Sequence, residues 1–180
     1  MSLSAAKRAS TTLSLPLRVA DLPNRAGIDF QITPDASSRK DLADRLDLLH
    51  LRKLTFSGTL RPEGHHDWRL EGVLGATVVQ PCVITQDPVT TRIDTPVNRL
   101  FLRRMPEIDA HEAEMPEDDT IEPLTPELDL GAVMVESLSI ALPDYPRADG
   151  ARIPDAYSDP GTDERPNPFA ALAALKQPKP

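Results

Sequence analysis

The chain has 180 residues, with 20 Lys and Arg against 28 Asp and Glu and a formal net charge of -8. That length can bury a core without staples, the acidity argues against simple electrostatic binding of nucleic acid, and one cysteine, Cys82, excludes both an internal disulfide and an all-cysteine zinc site. Proline, at 19 residues of 180, requires long stretches that are neither helix interior nor central strand.

Residues 1–10 read as a flexible N-terminus. Lys7 and Arg8 are followed by Ser10, Thr11, Thr12 and Ser14, where a signal peptide would place its apolar run. No export is expected. No run of about 18 apolar residues occurs, so no transmembrane helix is expected either, and a lone thiol suits a reducing, cytoplasmic setting.

An α+β domain is expected over 11–146. Leu13, Leu15 and Leu17, and then Ile28, Phe30 and Ile32, alternate with polar residues as in half-buried strands. Ser38 and Asp41 resemble a capping box ahead of Leu42, Leu46 and Leu49, which predicts an amphipathic helix from about 38 to 50. Leu54, Phe56, Gly58 and Leu60 give one strand, and Trp68, Leu70, Gly72, Leu74, Ala76 and Val78 a longer one, with the polar stretch Arg61–Asp67 as the loop between them. A third strand runs from Val89 to Leu102 after the turn Thr85–Pro88, completing an antiparallel meander that should carry the core, with Trp68 on its buried face. The whole is an antiparallel sheet of about five strands with two packing helices, in an order that permits a partly closed barrel.

Residues 106–126 show no apolar period, four prolines and many acids, and read as an acidic loop. A helix is expected from Asp129 to Leu142, with Leu130, Val133, Met134, Leu138 and Leu142 toward one side and Pro143 as its stop. A Pro-rich linker, 147–166, leads to a short terminal helix, 167–176. There Asn167 caps, Pro168 opens the first turn, and Phe169, Leu172 and Leu175 form a narrow docking stripe.

Charge is unevenly spread. Residues 1–105 carry 15 basic and 11 acidic side chains, whereas residues 106–146 carry 12 acids and no Lys or Arg. The acidic stretch with Glu107, Asp109, Glu112, Glu114, Glu117, Asp118 and Asp119 is either a solvated loop or a surface that receives a basic partner. Arg99, Phe101 and Arg103 share one strand face with Arg104 beside them, an arrangement suited to phosphate contact and base stacking. The other reading makes Phe101 core, with the arginines covering its edge or pairing with the acidic segment.

Nothing in the chain assembles a catalytic set. The eight glycines form no phosphate loop, Cys82 lacks an activating local motif and reads as a buried thiol, and His65-His66 is an exposed pair whose side chains point apart in an extended chain. No cofactor, metal or small-molecule substrate is expected.

Three stretches, in order, resemble one family. Val78-Val-Gln-Pro-Cys82-Val-Ile-Thr85 with Pro88-Val89 is similar to its strand-turn segment, Asp129-Leu-Gly-Ala-Val-Met-Val-Glu136-Ser-Leu-Ser-Ile-Ala-Leu-Pro143 to its helix, and Asn167-Pro-Phe-Ala-Ala-Leu-Ala-Ala-Leu-Lys176 to its terminal motif. The family is the YceD group, the large-subunit ribosomal RNA accumulation proteins, and the resemblance spans roughly 75–176. Many members place C-x-x-C at the turn; here Thr85 stands in the second position, and Asp144–Gly150 has no cysteine or histidine. The resemblance implies a cytoplasmic, non-catalytic factor for accumulation or processing of large-subunit ribosomal RNA. Its partner would be the precursor large subunit, met through RNA or through a basic ribosomal protein. A general protein-interaction adaptor unconnected to ribosomes is the alternative function.

Overall fold

A computed structural model describes residues 8–23, 26–105 and 120–152. The chain divides into two units, Met1–Ala148 and Asp149–Pro180, and everything below concerns the first. In chain order it contains β1 (Arg8–Ser10), β2 (Pro16–Arg18), a 3-10 turn (Val19–Asp21), β3 (Ile28–Ile32), α1 (Ala36–Arg45), β4 (His50–Glu63) and β5 (Asp67–Pro81). Then come β6 (Pro88–Leu102), β7 (Ile121–Pro123), β8 (Glu127–Asp129) and α2 (Leu130–Ala141).

The alternating residues do form the meander. β4, β5 and β6 pair antiparallel over nearly their whole lengths, with Leu60 opposite Leu70 and Trp68 opposite Phe101. A bulge between Leu51 and Lys53 shifts the register, so that Leu51 and Leu54, three apart, are both buried. Phe30, Phe56, Leu70, Leu74, Val97 and Phe101 line one face, and Phe30 and Phe56 meet edge to face with ring centroids 5.0 Å apart. Gly58 is required here because a Cβ at this position would lie 2.2 Å from the carbonyl oxygen of Glu71 on β5.

The sheet differs from the antiparallel, five-stranded expectation. Among the described residues it is mixed and six-stranded, in the order β1-β3-β4-β5-β6-β7, with β1 parallel to β3 and β7 parallel to β6. It does not close into a barrel: β1 and β7 are its edges, while β2 and β8 pair as a separate antiparallel ribbon. Three-residue strands carry no period, so Arg8–Ser10, expected to be part of a flexible N-terminus, and Ile121–Pro123, expected in the acidic loop, are strands held by tertiary pairing. Among the described residues β7 pairs β6 only at Leu100–Leu102 and no further strand meets that side of β6 at Pro96, which lacks a backbone donor.

The first helix is shorter than expected. Its cap is Asp35, whose carboxylate accepts the Ser38 backbone N–H at 2.8 Å, and it stops at Arg45 because Leu46 leaves helical geometry and Asp47 takes φ 52°. Leu42 is therefore buried, while Leu49 lies beyond the helix and is exposed.

α2 covers the core face with Leu130, Val133, Met134, Ser137 and Leu138 buried. Asp129 fixes its start. One carboxylate oxygen accepts the backbone N–H of Gly131 at 2.8 Å and that of Leu15 at 2.7 Å, and the other accepts the Ser14 hydroxyl at 2.8 Å. A Cβ on Gly131 would lie 2.1 Å from the Leu13 carbonyl oxygen, so only glycine lets the 13–15 segment cross the helix terminus this closely. Among the described residues no helix is long and apolar enough to cross a membrane.

Two stability measurements follow from this packing. Trp68 is 4% exposed, and urea unfolding of Trp68→Ala should show a loss of about 3–5 kcal/mol. Asp129→Ala should cost about 2–3 kcal/mol by leaving the Leu15 and Gly131 donors without an acceptor. Asp129→Asn, which keeps a capping oxygen, should lose about 1 kcal/mol or less.

Candidate functional site

The pairing of β5 with β6 brings two distant stretches to one end of the sheet. Trp68 opposes Phe101, so the β4–β5 turn stands beside the residues that follow β6. Gly64 at φ 60° makes the turn, and Asp67 accepts the Arg103 backbone N–H at 2.9 Å, tying the two together. His65, His66, Asp67, Arg103 and Arg104 consequently line an open cleft of about 660 Å³. Arg103 Nη1 lies 3.5 Å from His66 Nδ1. A second cleft, about 350 Å³, shares His66 and Arg103 and among the described residues is also lined by Val19, Ala20, Leu124, Thr125 and Pro126.

Of the four residues expected to meet RNA, the structure separates two from the other two. Phe101 is 1% exposed, so its ring belongs to the core and has no free face on which a base could stack. Arg99 is on the same side of the strand, with its side chain 15% exposed. Its Nε is 2.7 Å from Glu122 and its Nη2 is 3.4 Å from Glu136, so its charge is balanced within the fold by two acids of the 106–146 stretch. Arg103 and Arg104 are exposed, and neither guanidinium has a carboxylate partner among the described residues. Glu107, Asp109, Glu112, Glu114, Glu117, Asp118 and Asp119, and the docking residues Phe169, Leu172 and Leu175, lie outside the described residues.

In the sequence His65-His66 reads as an exposed loop pair and is not joined to Arg103 and Arg104. Period within a strand gives no register, and it is the register of β5 on β6, with Trp68 opposite Phe101, that joins them. Among the described residues no group of three or more His, Cys, Asp or Glu could hold a metal ion.

At the opposite end of β5, Cys82 is fully buried and its sulfur accepts backbone N–H groups from Ile84, Thr85 and Ala148 at 3.4–3.5 Å. The Thr85 hydroxyl contributes most to lowering the thiol from its ordinary 9.0 to about 6, followed by the Ala148 and Thr85 N–H groups, against the opposing effect of burial. Threonine stands where C-x-x-C would supply a second sulfur, and a single thiolate ringed by donors does not make a metal cage.

Fold and clefts define an α+β chain with an open basic surface at one end of a mixed sheet. Residues 70–176 match the model of the family described as the large ribosomal RNA subunit accumulation protein YceD, and the chain belongs to that family. The description concerns accumulation of an RNA and names no catalysed reaction. Neither a curated protein nor a solved structure matches the chain.

The thiol gives a pH signature with a definite sign. Its folded value lies below the unfolded one, so the thiolate's contribution to stability is complete above about pH 9.0 and is lost as pH falls through about 6. Urea unfolding of the native chain and of Cys82→Ser across that window should show an advantage for the native chain that grows with pH. A difference independent of pH would contradict the donor geometry.

Proposed function

We propose that this protein is a non-catalytic cytoplasmic factor that supports large-subunit ribosomal RNA by direct contact with the precursor particle, its RNA phosphates meeting Arg103 and Arg104. One observation carries the reading: these two adjacent guanidinium groups are exposed without a carboxylate partner among the described residues, whereas nearby Arg99 is engaged by Glu122 and Glu136. Guanidinium groups suit phosphate through bidentate hydrogen bonds. The net charge of -8 does not oppose this, because the acids are concentrated in 106–146 and the first 105 residues are basic.

That same concentration, 12 acids with no Lys or Arg, favours a second contact in which the acidic stretch receives a basic ribosomal protein. The terminal segment with Phe169, Leu172 and Leu175 is too short to hold a helix alone in water, so the helix expected there would need a docking surface.

Salt dependence separates these contacts. In binding to large-subunit ribosomal RNA, the double variant Arg103→Ala, Arg104→Ala should flatten the log Kd against log salt slope by about 1.5–2. Arg99→Ala should leave the slope unchanged and instead lower unfolding free energy by about 1 kcal/mol, since Glu122 and Glu136 are partly exposed and lose an ion pair rather than becoming buried charges. An unchanged slope in the double variant, with co-sedimentation on precursor particles intact, would transfer the contact to the acidic stretch.

A further inference from the structure

The two clefts that meet at His66 and Arg103 differ in chemistry. The first is cationic, with Arg103 and Arg104 beside the imidazoles of His65 and His66, which do not point fully apart but have ring centroids 6.3 Å from each other. The second is walled largely by Val19, Ala20, Leu124 and Pro126. The Thr125 hydroxyl there already donates to the Glu127 carbonyl at 2.5 Å, so among the described residues this wall has no side-chain donor left for a base edge. A ligand filling both must carry an anion at one end and a flat or apolar group at the other.

We infer that the joined clefts seat one nucleotide of single-stranded RNA, deepening the phosphate contact proposed above and resting on it. The phosphate lies at Arg103 and Arg104, and the base stacks on the His66 imidazole and extends over Leu124 and Pro126. Imidazole and guanidinium planes both serve as stacking surfaces for unpaired bases. Arg103, within 3.5 Å of His66 Nδ1, stands at the junction and contacts both parts of the ligand. Among the described residues the apolar wall carries no free side-chain donor, so the seat is expected to tolerate any base and to select for unpaired strand, because a base held in a duplex cannot enter it.

Fluorescence anisotropy with the full chain tests this, using a labelled oligouridylate and an abasic ribose-phosphate strand of equal length. His66 is exposed in a turn, so its substitution leaves the core intact. His66→Ala should weaken oligouridylate roughly 5- to 150-fold and leave the abasic strand unchanged. His66→Phe should restore oligouridylate binding, and Arg104→Ala should weaken both strands. Equal effects of His66→Ala on the two strands, or none on either, would overturn the nucleotide seat. If oligouridylate fails to bind while ribosomal RNA still binds with a salt slope that depends on Arg103 and Arg104, the seat is wrong and the phosphate contact stands. If neither RNA binds, both are wrong.

Discussion

The Asp129 carboxylate is the point on which the arrangement of the domain depends. It accepts hydrogen bonds from the backbone of Gly131 within the helix and from Leu15 and Ser14, more than a hundred residues away along the chain. A helix start presents unsatisfied N–H groups and a partial positive charge, which a carboxylate answers well. Here the same group also holds a crossing segment whose Leu15 N–H sits in a part-buried position. The absence of a side chain at Gly131 makes the crossing possible. Helix, N-terminal segment and the β2–β8 ribbon are thereby fixed together over the core face of the sheet.

Once α2 is held there, it determines which charges remain available at the surface. Glu136 on the helix and Glu122 on β7 converge on Arg99, so an arginine on the core side of the sheet is balanced close to where it is desolvated. An unpaired cation in that position would carry the full penalty of partial burial. Arg103 and Arg104, beyond the end of β6, escape this and face water. The separation of a structural arginine from two that can meet an anion is therefore a consequence of where β7 and the helix lie.

The two ends of β5 have different chemistry. At one, the β4–β5 turn and the end of β6 form an open, cationic cleft. At the other, backbone donors converge on the buried Cys82 sulfur, joining the β5–β6 turn to the segment near Ala148. Gln80 reinforces the second end by donating to the Pro143 carbonyl at 3.1 Å. A polar tie at a buried position holds chain segments in register because an unmatched donor would be costly there.

How much of this was legible depended on the range of each signal. Alternation over 14–15 residues defined β4, β5 and β6, and the buried face that includes Trp68 and Leu70 follows from period two alone. The Asp129–Pro143 motif likewise announced α2 and its family. β1, β7 and β8 could not be read, since Arg-Ala-Ser, Ile-Glu-Pro and Glu-Leu-Asp gain strand geometry only from their partners. Phe101 and Arg99 were placed correctly on one face by parity, but parity does not say whether that face meets water or a helix. The cleft was hidden for a similar reason: His66 and Arg103 are 37 residues apart, and only the register of β5 on β6 brings them together. Sequence determined the local periods and the residues that had to be buried; tertiary structure decided which exposed charges remain unpaired and which distant groups share a site, because both depend on spatial proximity rather than on spacing along the chain.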